Sequence, residues 1–200
     1  MEKAGTNNKV YDSKFDEHVF LTKVEAVSRA AFIADVSYRV HLTLPRCETF
    51  AGHASISFSE KAPIPEEGFF LDFHGVMITG LSVDEQSVSL DESVFNGHRI
   101  YVKKSWLKET KTHSVELSFL NKYRNDGTSL HRFVDPEDSE DYLYTQFEAF
   151  FAHGVFPCFD QPDLRATLAL SVTSEDHWAV ICNTLENEDP AAVEAAQKIE

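Results

Sequence analysis

The sequence is short of most features that mark a specialised chain. Cysteine occurs three times (Cys47, Cys158, Cys182), an odd number with no Cys-x-x-Cys pair. Such spacing builds neither a disulfide scaffold nor a zinc knuckle, and the plain expectation is a reduced, cytoplasmic protein with buried thiols. No stretch approaches the roughly 20 apolar residues that span a bilayer. Met1 to Val10 is polar and lacks the apolar core of a secretory leader. Basic residues are scarce too: 18 Lys and Arg against 33 Asp and Glu leave a formal charge of −15. A nucleic-acid backbone or an anionic membrane surface is bound by clustered Lys and Arg, so neither is expected as a partner. No Gly-x-Ser-x-Gly, Gly-rich phosphate loop or His-Glu-x-x-His occurs, and no repeat or low-complexity tract is visible.

What the chain does have is apolar substance. Sixteen Phe residues and a 42% hydrophobic content give ample area to bury, which excludes intrinsic disorder. Two hundred residues are enough for one ordinary domain, or one domain with a tail, and not for a complete multidomain enzyme. Residues 1–17 are polar and read as a loose arm. Thr22 followed by Glu25 forms a capping box, and Val24, Val27 and Ala31 follow at helical spacing, so a helix is predicted over 23–34. From Tyr38 the period changes to two. Tyr38, Val40, Leu42 and Leu44 alternate with polar residues, as do Phe50, Gly52, Ala54, Ile56 and Phe58. Further strands are expected at 69–73, 76–83, 99–103, 113–120, 142–148, 165–173 and 178–183, with turns at Pro63-Ile64-Pro65, Asn96-Gly97 and Asn125-Asp126-Gly127. Many short strands and one early helix define a mainly β fold, an antiparallel sandwich or open sheet, over residues 18–183. Residues 184–200 form an acidic, Ala-rich tail, in which Asp189-Pro190 could start a short, frayed helix.

Four groups of residues invite a chemical reading. The acidic run Asp135 to Asp141 has Glu140 and Gln146 where a calcium-binding loop needs Gly and Glu, so it reads as a solvated loop. The nine His residues sit apart, with no pair at metal-ligand spacing, so no metal site is expected. His153 and Cys158 lack an orienting third group, and Cys158, between Pro157 and Phe159, reads as a buried small apolar residue. In Tyr144-Thr145-Gln146-Phe147-Glu148, strand alternation puts Tyr144, Gln146 and Glu148 on one face. An amide and a carboxylate so placed can converge on one ammonium group, in hydrogen bonds of about 1.5–3 kcal/mol when sheltered. On residue chemistry alone, an ordinary polar strand face is the plainer account.

The same segment carries a resemblance. Leu130 to Pro136, Tyr142 to Glu148 and Phe156-Pro157-Cys158-Phe159-Asp160-Gln161-Pro162-Asp163-Leu164 are similar to the N-terminal domain of aminopeptidase N-type zinc metallopeptidases. The similarity continues through Arg165-Ala166-Thr167-Leu168 to Trp178–Asn183 and reaches back to Leu21–Ala26 and Tyr38, covering about residues 20–183. It implies a saddle-shaped, mostly antiparallel β domain that precedes a thermolysin-like catalytic domain. It further implies that Gln146 lines the pocket for the first side chain of a peptide and that Glu148 binds the free α-amine. The zinc, the zinc-bound water and the glutamate base would belong to the parent enzyme, because no zinc-helix motif or Gly-Ala-Met-Glu-Asn loop precedes Glu200. Ala152-His153-Gly154 departs from the Ala-Arg pair usual before the Phe-Pro-Cys block.

Two readings follow. In the first, this is the substrate-anchoring N-terminal domain of a zinc aminopeptidase, inactive alone, incomplete at its C-terminal end, with peptide N-termini and a catalytic domain as partners. In the second, it is a stand-alone, non-catalytic β binding module of the same fold, self-associating through exposed surfaces. An unrelated β-sandwich receptor fragment fits the strand pattern but not the ordered motif blocks.

Overall fold

The capping box at Thr22 forms as the sequence predicts. The Glu25 amide donates to the Thr22 hydroxyl at 3.3 Å and the Thr22 amide donates to the Glu25 carboxylate at 2.8 Å, opening α1 (Lys23–Phe32). These positions come from a computed structural model of the chain, which describes residues 20–184. The expected arm at 1–17 and all but the first residue of the expected tail lie outside the described residues. The buried face of α1 is not the one the periodicity picks out. Val24 and Val27 are 79% and 60% exposed and Ala31 is exposed, whereas Arg29 and Phe32 are buried. Hydrophobicity misleads here because Arg29 enters the interior paired with Asp72 and bonded to Gln161 through Nε and to the Phe70 carbonyl through Nη1. The helix ends two residues earlier than expected, since Ile33 is already extended and begins a strand.

A six-stranded sheet forms the body. Its strands are β1 (Ile33–Leu44), β2 (Thr49–Glu60), β4 (Met77–Val83), β5 (Gln86–Ser87), β7 (Thr112–Lys122) and β10 (Ala166–Ser174), in spatial order β10-β1-β2-β7-β4-β5. All neighbours run antiparallel except β10, which lies parallel to β1. The predicted alternation holds on β1 and β2: Tyr38, Val40, Leu42 and Leu44 are buried, as are Phe50, Ala54, Ile56 and Phe58. Gly52 has no side chain because the Phe119 ring opposite occupies that space; a Cβ there would meet the ring at 2.2 Å.

Two small sheets flank the body. One pairs β3 (Phe69–Asp72) with β6 (Arg99–Val102), and the other is the hairpin of β8 (Ser129–Val134) and β9 (Asp141–Gln146). Between the body and the β3–β6 sheet, Phe58, Phe69 and Phe159 pack edge-on or tilted, with centroids 5.3–5.8 Å apart. Such geometry favours aromatic pairs over face-to-face stacking. The architecture is therefore mainly β with one short N-terminal helix.

Three expectations are corrected. The segment 178–183 forms no strand: no described strand lies alongside it, and Val180 and Ile181 are 56% and 91% exposed. The hairpin strand β8 was not among the expected strands, because His131 and Arg132 interrupt its alternation. Of the thiols, only Cys158 is buried; Cys47 and Cys182 are exposed.

Candidate functional site

The hairpin β8–β9 presents the candidate residues. Its register sets Ser129 opposite Gln146, His131 opposite Tyr144 and Phe133 opposite Tyr142. Leu130 is buried beneath, while Tyr142, Tyr144 and Gln146 face solvent. His131 and Tyr144 stack across the strands with centroids 4.7 Å apart. The strand ends at Gln146, two residues short of the expected boundary, so Glu148 lies in the following turn and not on the strand face. Phe147, between the two candidates, packs against Phe156 with ring centroids 6.2 Å apart. A different link joins the two candidates: the Glu148 amide donates to Gln146 Oε1 at 3.1 Å. Gln146 and Glu148 are both exposed, the Glu148–Ala149 peptide is cis, and among the described residues no cation pairs with the Glu148 carboxylate.

The turn that carries Glu148 is pinned from beneath by groups that periodicity does not reveal. Ser129 Oγ donates to the Phe151 carbonyl at 2.9 Å, and the Phe151 amide donates to the Phe147 carbonyl at 3.0 Å. Asn121, buried on β7, donates from its one amide nitrogen to the carbonyls of Gly154 and His74, both at 2.9 Å. Gly154 packs so closely on Ser129 that a Cβ would meet its Oγ at 2.2 Å. Backbone carbonyls buried in this way need such partners.

The Phe-Pro-Cys block that follows is held by a buried polar network. Arg29 pairs with Asp72 at 2.8 Å and donates to Gln161 Oε1 at 2.6 Å and to the Phe70 carbonyl at 3.2 Å. Its guanidinium lies over the Phe70 ring at 4.8 Å and the Phe159 ring at 5.5 Å. The Asp160 amide donates to Asp72 Oδ2 at 3.1 Å, and the Phe159 amide donates to the Tyr38 hydroxyl at 2.9 Å. His153, at the departure from the usual Arg, meets Asp160 Oδ2 with its Nδ1 at 2.7 Å and stacks on Phe150 at 4.3 Å. Asp160 is thus the partner that His153 meets at this position.

Burial pushes the Cys158 thiol well above its ordinary range, and His153 turns its Nδ1 to Asp160. A high thiol pKa makes a poor nucleophile, and Cys158 is a core residue, as its neighbours in sequence indicate. Within the acidic loop, Asp141 is buried and accepts from Arg132 at 3.1 Å; residues 136–139 are exposed. Among the described residues no three His, Cys, Asp or Glu side chains are grouped to hold a metal ion, so zinc does not fit them and no step through it is assigned to this chain.

An open cleft of about 320 Å³ lies beside the turn, between Phe20 to Lys23 and Ala26 on one wall and Ala149, Phe150 and Asp160 to Asp163 on the other. Neither Gln146 nor Glu148 lines it. Gln146 at the hairpin end and Glu148 in the following turn are both exposed, and Ala149, next in sequence, lines the cleft.

A mainly antiparallel β domain carrying an exposed amide–carboxylate pair on a pinned hairpin exit is the class of protein that these features define. The family model for the Peptidase M1 N-terminal domain matches residues 34–198, and the chain belongs to that family. Over 166 residues it is 33% identical to aminopeptidase N of Streptomyces lividans, covering 82% of this chain and 19% of that protein. It is 31% identical over 133 residues to probable aminopeptidase 1 of Saccharolobus solfataricus, covering 57% of this chain and 16% of that protein. Among solved structures, an M1 zinc metallopeptidase of Deinococcus radiodurans with bound Tyr-Ser-Ala substrate superposes at a TM-score of 0.54 and 21% identity, covering 72% of this chain and 33% of that one. Leukotriene A4 hydrolase of Saccharomyces cerevisiae superposes at 0.58 and 18% identity, covering 72% of this chain and 24% of that one. Those two share the fold. The chain thus spans a small part of the length of each relative. No helix among the described residues is long and apolar enough to cross a membrane.

Proposed function

We propose that this chain is the substrate-anchoring N-terminal domain of a zinc aminopeptidase, with Glu148 accepting the free α-amine of a peptide and Gln146 contacting its first residue. The observation that supports this best is the hydrogen bond from the Glu148 backbone amide to Gln146 Oε1, which holds the Gln146 side chain against the exposed, pinned turn that carries Glu148. With its oxygen engaged in that bond, the exposed Gln146 amide keeps its N–H groups as donors, and the exposed Glu148 carboxylate meets no cation among the described residues. A peptide ammonium provides three donors and a positive charge, and a carboxylate is the natural acceptor. An acetylated or internal peptide has neither the charge nor the donors, so discrimination comes from the unpaired carboxylate. Zinc-dependent attack on the peptide bond belongs, in this reading, to a catalytic domain that abuts the hairpin.

Nuclear magnetic resonance on the labelled chain tests the anchor directly. Titration with Tyr-Ser-Ala should shift the amides of residues 146–150, and the N-acetylated peptide should leave them unmoved. Glu148→Gln should abolish the difference between the two peptides. Equal shifts from both peptides would sink the assignment of Glu148. The chain alone is expected to bind no stoichiometric zinc and to release no amino acid from aminoacyl substrates.

A further inference from the structure

The turn at Asn96-Gly97, which leads into β6, is built around one side-chain oxygen. Asn96 Oδ1 accepts from the His98 amide at 3.0 Å and from the Arg99 amide at 2.8 Å. The Asn96 amide donates to the Arg99 carbonyl at 3.3 Å, so the loop closes on itself. Asn96 is exposed, and its Nδ2 bonds nothing among the described residues. Gly97 has a φ of 90°, a conformation that suits glycine, and its N–H donates to no group among the described residues. The turn thus sets together a carbonyl carbon polarised by two N–H donors, an unencumbered amine and a neighbouring backbone nitrogen with no side chain beside it. Asn96 is also the one Asn in the sequence that Gly follows; the other six precede Asn8, Lys9, Lys122, Asp126, Thr184 and Glu188, whose side chains hinder attack by their own nitrogens.

We propose that Asn96 is a modification site, at which the chain converts its own amide to a carboxylate with water as the co-reactant. Base takes the Gly97 N–H proton, the nitrogen attacks Asn96 Cγ, and the Cγ–Nδ2 bond breaks to release ammonia and leave a cyclic succinimide. Water then opens the ring in one of two ways. Attack at Cγ breaks the new bond and gives aspartate on an unchanged backbone. Attack at the Asn96 backbone carbonyl carbon breaks the original peptide bond and gives isoaspartate, with an extra atom in the main chain. The turn favours the first. Oxygen charge that builds at Cγ faces the His98 and Arg99 amides, an arrangement that stabilises such charge. The finished carboxylate keeps both bonds, now as charge-assisted ones.

The two products differ in what they do to the fold. The Gly97 carbonyl accepts from the Gly75 amide at 3.4 Å and the His98 carbonyl from the Phe73 amide at 3.0 Å, while His74 between them donates to the His153 carbonyl at 2.8 Å. An extra main-chain atom at position 96 displaces both carbonyls and loosens the exit of β3. Aspartate leaves them where they are and adds one negative charge to the turn. The reaction is intramolecular, so it calls for no partner molecule, and it is independent of the amine-anchor reading.

Peptide mapping of the full chain by mass spectrometry tests the proposal. After prolonged incubation at pH 8, tryptic peptide 62–99 should carry an acid in place of the amide at Asn96 before any other Asn converts. Fragmentation that separates the two products should find the ratio of isoaspartate to aspartate about tenfold lower in the native chain than in the same chain incubated in urea, since one well-placed donor supplies at least that preference. Asn96→Asp should melt no lower than wild type. Asn96→Gln, whose longer side chain closes the ring far more slowly, should keep its amide, which assigns the change to this position. An Asn96 that outlasts another Asn, a product ratio equal in the two states, or an Asn96→Asp chain that melts below wild type would overturn the proposal.

Discussion

Arg29 and Asp72 meet at 2.8 Å with side chains only 2% and 3% exposed, joining α1 to the β3–β6 sheet. Two charges that deep in the protein are sustained by each other and by Gln161, the Phe70 carbonyl and the Asp160 amide, which bond Arg29 Nε, Arg29 Nη1 and Asp72 Oδ2. Removing one partner strands the other. Arg29→Met or Asp72→Leu should each destabilise the fold by about 3–5 kcal/mol, and Arg29→Met/Asp72→Leu should cost far less than their sum. Urea denaturation of the four proteins in the cycle measures this. Additive losses would show that the pair is not coupled.

Where the chain was legible and where it was not follows from what each residue answers to. The alternation on β1 and β2 reports a face buried by its own sheet, so Tyr38 to Leu44 and Phe50 to Phe58 could be placed from sequence. The capping box is local chemistry and was equally readable. The buried face of α1 was not, because Arg29 is paid for by Asp72 and Gln161, residues distant in the chain. Strand alternation set Gln146 and Glu148 on one face, but β9 ends at Gln146 and Glu148 lies in the turn that follows. Ser129 and Asn121 carried no signal at all: their work is to bond carbonyls at positions 151, 154 and 74, which only the fold brings near.

The pairing of Glu25 with Arg99 sets an acid limb on stability. The Arg99 guanidinium donates to both Glu25 carboxylate oxygens, at 2.6 and 3.1 Å, and holds the Glu25 carboxyl at about 2, below its ordinary 4.5. A carboxyl lowered by folding stabilises the native state fully above its unfolded value, and that contribution is lost as pH falls from 4.5 towards 2. Glu25→Gln keeps a capping-box side chain but removes the charge. The stability difference between wild type and Glu25→Gln should therefore shrink steadily over that range. Urea midpoints between pH 6 and pH 2 check it, and a constant difference would contradict the ion pair.

Gly154 is required by its neighbour and not by its own backbone torsion. Gly154→Ala puts a methyl group 2.2 Å from Ser129 Oγ and 2.9 Å from Ser129 Cβ, so the turn must shift. Overpacking of this kind costs about 1–3 kcal/mol. Ser129 itself has a positive φ of 55°, where glycine is at ease, so Gly154→Ala/Ser129→Gly should recover part of the loss. Melting temperatures give the energies, and the amide shift of Glu148 reports whether that residue moves with the turn.

The His153–Asp160 contact decides whether the departure at 153 is tolerated. Both side chains are about seven-eighths covered, at 14% and 13% exposure, and Asp160 also accepts from the His153 amide at 3.1 Å. His153→Ala leaves Asp160 with backbone donors only and removes the ring from Phe150, a loss of about 1–3 kcal/mol. His153→Arg supplies a permanent cation to the same carboxylate, so it should retain most of the wild-type stability. The measurement is thermal unfolding of the three proteins at pH 7. If the Arg variant is no more stable than the Ala variant, Asp160 is not the partner that a cation at this position meets.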